Sequence, residues 1–63
     1  MDFLFTNHGS VCLLQPLSEA AGEWVDEHLP EDKQMFGSAV VVEPRYVGPI
    51  IDGIINDGLE VRS

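Results

Sequence analysis

Apolar positions along the chain fall into short runs and longer spaced stripes. Phe3-Leu4-Phe5-Thr6 and Val11-Cys12-Leu13-Leu14-Gln15 are short, aromatic and aliphatic, and they enclose Asn7-His8-Gly9-Ser10, which has turn chemistry. The pattern predicts a β-hairpin over Asp2 to Leu17. Gly9 takes a positive φ at no steric cost, and the Asn7 side chain can bond nearby backbone. Neither strand alternates cleanly between apolar and polar residues, which implies a sheet substantially covered on both faces. Pro16 ends the second strand because it brings no N–H to the ladder.

From Ser18 the period changes. Leu17, Ala20, Ala21, Trp24, Val25, His28 and Leu29 recur at the i, i+3, i+4, i+7 spacing of one helical face. Ser18 is a natural N-cap, Gly22 is a weak interior residue, and Pro30 stops the helix near Leu29. Glu31 to Gly37 reads as a connector whose Met35 and Phe36 fold back onto the core. Ser38-Ala39-Val40-Val41-Val42-Glu43 predicts a strand. A second helix is expected to begin near Tyr46 or Val47, which places Pro49 in its first turn. Its stripe is Val47, Ile50, Ile51, Ile54 and Ile55, and Gly58 suits its C-terminal cap. Leu59-Glu60-Val61 closes the chain as an edge strand. The order β-β-α-β-α-β defines one α+β domain over residues 1–63, mostly antiparallel, with two helices on one face of the sheet.

Composition changes the picture in one respect. The 63 residues hold eleven acids and three Lys/Arg, for a formal net charge of −8. With 44% hydrophobic residues the chain is not an acidic disordered tail. Three basic residues are too few to neutralise a run of phosphates, which argues against direct nucleic-acid binding, and an anionic membrane would repel the chain. No basic-then-apolar leader and no long apolar run is visible, so neither a signal peptide nor a membrane span is expected. The single cysteine, Cys12, lies in an apolar run and reads as a buried hydrophobe; a reducing cytoplasm is the expected compartment.

The acids are not spread evenly. Glu19, Glu23, Asp26, Glu27, Glu31 and Asp32 are six of the eleven and share one short window with a single lysine, Lys33. Glu19, Glu23 and Glu27 stand four apart as a like-charge row, expected opposite Trp24 and mildly destabilising by about 0.2–0.5 kcal/mol per pair. Asp26 and Glu27 also approach the end of the helix dipole that favours cations. Two local rules are broken at one place, which marks a candidate for function. Taken over the roughly 22 Å that Ser18 to Asp32 would span as helix, the six acids give about one charge per 3.7 Å, close to the ~3.4 Å per phosphate of a DNA strand. Two readings stand: a solvated face that favours solubility, or a surface for a Lys/Arg-rich partner.

Other chemistry is thin. His8, His28 and Cys12 lack metal-ligand spacing, and Asp52 to Gly58 fails the calcium-loop pattern. No phosphate loop or nucleophile motif is present, and a domain this small has little room for both a core and a closed pocket, so no catalytic residues and no cofactor are expected. Phe3, Phe5, Trp24, Phe36 and Tyr46 read as core aromatics.

The Phe3-Leu4-Phe5 and Asn7-His8-Gly9-Ser10 opening, with Val41 to Val47 and Asp57-Gly58-Leu59, resembles the short acidic α+β proteins of phages and mobile elements. Among these the chain is similar to anti-CRISPR inhibitors of the DNA-mimic type. That resemblance implies a non-enzymatic inhibitor, acting in the host cytoplasm, whose acidic surface occupies the basic DNA-binding site of a CRISPR surveillance complex or effector. The alternative is a protein–protein interaction module, a monomer or weak homodimer, joined through an apolar patch or a sheet edge.

Overall fold

A computed structural model describes residues 1–63. The elements run β1 (Phe3–Asn7), β2 (Cys12–Pro16), α1 (Glu19–His28), β3 (Met35–Phe36), β4 (Ala39–Val42), α2 (Pro44–Asn56) and β5 (Val61–Arg62). The strands form one sheet in the order β3-β4-β2-β1-β5. Every pairing is antiparallel except β1 with β5. The α+β class and the predominantly antiparallel sheet are as the sequence predicts.

The hairpin forms as its turn chemistry requires. Gly9 sits at φ 84° and donates its N–H to Asn7 Oδ1 across 2.8 Å. Ser18 caps α1, its hydroxyl accepting from the Ala21 N–H at 3.1 Å. The same hydroxyl donates to Asp2 Oδ1 at 2.7 Å, so the cap is tied to the start of β1. Leu29 turns extended (ψ 149°), as a residue before proline must, and α1 stops. At the far end of α2, Gly58 (φ 82°) donates to the Ile55 carbonyl and Leu59 to the Ile54 carbonyl. These two bonds make the Schellman closure expected of a helix-ending glycine.

Cross-strand register sorts the side chains. Phe3, Phe5, Cys12, Leu14, Val40 and Val42 share one face. Both helices pack there: Phe3, Leu14, Val40 and Val42 join Ala21, Trp24 and Val25 of α1 and Ile54 of α2 in one core. Cys12 is buried, as its apolar neighbours suggest. The other face carries two rows. Thr6, Leu13 and Val41 form one; Arg62, Leu4, Gln15, Ala39 and Phe36 form the second at a different height along the strands. No helix covers these rows.

Several expectations are therefore corrected. The sheet is covered on one face only, so the missing alternation in β1 and β2 reflects apolar side chains on an open surface rather than a second layer. Met35 and Phe36 do not fold onto the core; they pair with β4 as a two-residue edge strand, with Phe36 70% exposed. Tyr46 is also exposed, its ring under the Arg45 guanidinium at 5.0 Å. Leu17 precedes the helix and is exposed, and Ala20 lies outside the buried face. Helix α2 begins at Pro44, not Tyr46, because the fixed φ of proline suits the first helical position. Pro49 consequently falls in the helix interior, where it deprives the Arg45 carbonyl of its intrahelical donor. The last strand is Val61–Arg62 rather than Leu59 to Val61.

Candidate functional site

Helix α1 lies across the sheet with Ala21, Trp24 and Val25 downward, which obliges the rest of its circumference to face water. Glu19, Glu23, Asp26 and Glu27 are all exposed there. Glu31 and Asp32 are exposed as well, but in the turn after Pro30 rather than on the helix. The ten residues of α1 span about 15 Å and carry four carboxylates, so the spacing of about one per 3.7 Å holds over the helix itself.

None of the six acids is neutralised within the molecule. The ion pairs join the N-terminal ammonium to Glu60 (3.8 Å) and Arg45 to Glu43 (3.0 Å), while His28 Nε2 lies 3.4 Å from Asp57 Oδ2. Lys33, the one cation near the acids in sequence, turns its ammonium to the Pro30 carbonyl at 3.4 Å. Four like charges thus stand unscreened by any side-chain cation along one helix surface.

The row is not opposite Trp24 throughout. Glu23 and Glu27 border an open groove of about 480 Å³ whose other walls are Trp24, His28, Ala20, Asp57 and Leu59. Its base is well ordered by packing and hydrogen bonds. The Trp24 indole stands edge-on to Phe3 (centroids 6.0 Å, 84°) and stacks on His28 (4.4 Å, 12°). Its N–H donates to Asp57 Oδ2 at 2.7 Å. Gly53 of α2 admits the indole closely, since a Cβ there would lie 3.3 Å from Trp24 Cζ2. His28 Nδ1 donates to the Trp24 carbonyl at 3.0 Å, because a carbonyl can only accept. Its Nε2 lies 3.4 Å from Asp57 Oδ2, which sets the ring between the Trp24 carbonyl and the Asp57 carboxylate.

Three carboxylates, Glu23, Glu27 and Asp57, therefore face one concavity floored by aromatic rings, an arrangement suited to an ammonium or guanidinium group. No spacing in the sequence marks Asp57 as part of this site. Its place beside a helix-ending glycine explains it locally, and only the tertiary packing brings it to Trp24. The groove lining contains no serine, threonine, cysteine or lysine to serve as nucleophile beside His28. No group of His, Cys, Asp or Glu is arranged to hold a metal ion. No helix is long and apolar enough to cross a membrane.

A second concavity of about 530 Å³ opens where the end of α1 diverges from the start of α2. Leu29 and Pro30 form one wall, Pro49 and Ile50 the other, over Val40 and Val42. It is mainly apolar, with Lys33, Gln34 and Glu43 also on its lining, and shares no residue with the acidic groove.

No protein-family model, curated protein or solved structure matches the chain.

Proposed function

We propose that the chain is a non-enzymatic binding protein whose acidic α1 surface occupies a Lys/Arg-lined nucleic-acid groove in a partner, taking the place of DNA. The observation that carries this reading is the row Glu19, Glu23, Asp26 and Glu27: exposed, unpaired and of a mean linear charge density close to that of backbone phosphates. Glu31 and Asp32 extend the same negative field beyond the helix end, and Asp57 deepens it in the groove. A surface of this kind attracts a basic channel through long-range steering and is useless toward nucleic acid itself. Within this class, the resemblance noted in the sequence points to an anti-CRISPR inhibitor acting on a surveillance complex or effector in the cytoplasm of a host cell.

The test is competition. Labelled target DNA bound to a purified CRISPR effector should be displaced by the protein at low ionic strength, and displacement should fail as salt rises past the point where the Debye length is about 8 Å. The double variant Glu23→Lys/Glu27→Lys should fold normally and displace nothing. Equal displacement by that variant would show that the acidic row is not the contact surface. If no effector of a panel is bound, while a basic nucleic-acid-binding complex is captured from host extract at low salt only, the DNA-mimic reading stands and the CRISPR target does not.

A further inference from the structure

We infer that the open face of the sheet is a surface on which two copies of this chain pair, through a two-fold axis running along β2. The eight strand side chains on that face include no carboxylate, although the chain has eleven acids. Asp2 and Glu60 flank its edge but are engaged, Asp2 by the Ser18 hydroxyl and the Glu60 N–H, Glu60 by the N-terminal ammonium. Two molecules of charge −8 repel in most orientations. Face to face through this sheet, they meet on ground whose strand side chains carry no negative charge, with their acidic helices on the outer sides.

The face is also complementary to itself. Its one charge, Arg62, lies on the β5 edge, and its most exposed aromatic, Phe36, on the β3 edge. The β2–β4 register continued by one residue sets Gln15 beside Ala39, so both belong to the same row and lie at the same height along the strands. A two-fold axis along the central strand β2 keeps that height and exchanges the edges. It therefore sets Arg62 of each copy over Phe36 of the other, a cation–π pair repeated twice. Leu13, on β2, then meets Leu13 of the second copy near the axis, and Leu4 meets the side chains that cover Ala39, which is itself only 4% exposed. The other in-plane axis, across the strands, sets Arg62 against Arg62 when it runs at the height of that row and never sets Arg62 over Phe36, because it keeps each edge against itself.

Size fixes the strength. Five strands and two rows cover about 24 Å by 14 Å, a projection on the order of 350 Å², below the ~800 Å² per partner of a standard interface. The dimer is weak and exchanges rapidly. Edge-to-edge pairing competes poorly, because both edges are strands of two residues.

Sedimentation equilibrium of the full chain from roughly 10 µM to 1 mM should show a monomer–dimer equilibrium that persists in about 1 M salt. Leu13→Lys puts two like charges near the axis, and Phe36→Ser removes the exposed half of the cation–π pair at a site that contributes nothing to the core. Each should weaken dimerisation by about tenfold or more, with the far-ultraviolet circular dichroism of Phe36→Ser unchanged. Contacts between Arg62 and the Phe36 ring across a mixed-label sample should be detectable by nuclear Overhauser effects. A monomer throughout the range, or a dimer indifferent to both variants, overturns the inference. Glu23→Lys/Glu27→Lys should dimerise like the native chain, so this proposal and the acidic-surface proposal fail separately.

Discussion

The indole N–H of Trp24 donates to Oδ2 of Asp57 across 2.7 Å, and this bond joins the middle of α1 to the cap of α2 over 33 positions of chain. Trp24 is 7% exposed, and its ring already bears on Phe3, His28 and Gly53. The polar end of the indole has one acceptor. Asp57→Ala leaves that donor poorly satisfied and also removes the partner of His28, and it should destabilise the fold by about 1–3 kcal/mol. In a domain of this size that is a fall in Tm of at least about 4 °C. Thermal unfolding followed by circular dichroism checks it, and an unchanged Tm would show that water replaces the carboxylate freely.

Gly22 and Gly53 make a matched pair of helix glycines with opposite surroundings. A Cβ at Gly22 meets nothing within 4 Å, so Gly22→Ala should gain most of the roughly 1 kcal/mol by which alanine exceeds glycine in a helix. A Cβ at Gly53 meets Trp24 Cζ2 at 3.3 Å, against a ring held on three sides. Gly53→Ala should gain nothing or destabilise, despite the same propensity term. Urea midpoints of the two variants read the difference directly.

Asp2 gives the fold an acid-sensitive element. The Ser18 hydroxyl, and after it the Glu60 N–H, hold its carboxyl below the ordinary value of 3.8. A depressed folded-state pKa means that the unfolded chain binds the proton first. The stabilisation is therefore complete above about pH 4–5 and is lost as the pH falls through 3.8 and the lower folded-state value. Asp2→Ala should lower Tm at pH 7 and show a shallower decline than the native chain between about pH 4 and 2. Parallel declines would locate the acid sensitivity in other carboxyls.

The like-charge row carries a stability cost that neutralisation should relieve. Glu23→Gln and Glu27→Gln should each raise stability by a few tenths of a kcal/mol, about 0.2–0.5 for each relieved i,i+4 repulsion, and the gain should shrink in high salt. The same substitutions should weaken binding to a basic partner. A variant that is more stable and binds less well is the signature of a surface shaped by function rather than by folding.

What the sequence determined by itself was local. Asn7 and Gly9 specified the turn, Ser18 and Pro30 bounded α1, Val40 to Val42 specified a strand, and Gly58 the end of α2, because each acts through backbone bonds to near neighbours. The position of every candidate acid on or just beyond α1 was legible for the same reason, since helical period places Glu19, Glu23 and Glu27 on one surface. Tertiary structure alone decided the rest. Burial chose Phe3 and Trp24 for the core and left Phe36 and Tyr46 outside, although all four are aromatic. Register, which depends on partners far along the chain, showed that Leu4, Leu13 and Val41 lie on a face without a covering layer. The meeting of Asp57 with Trp24 and of Glu23 and Glu27 with both depends on how two helices cross one sheet, and no spacing in the sequence encodes that angle.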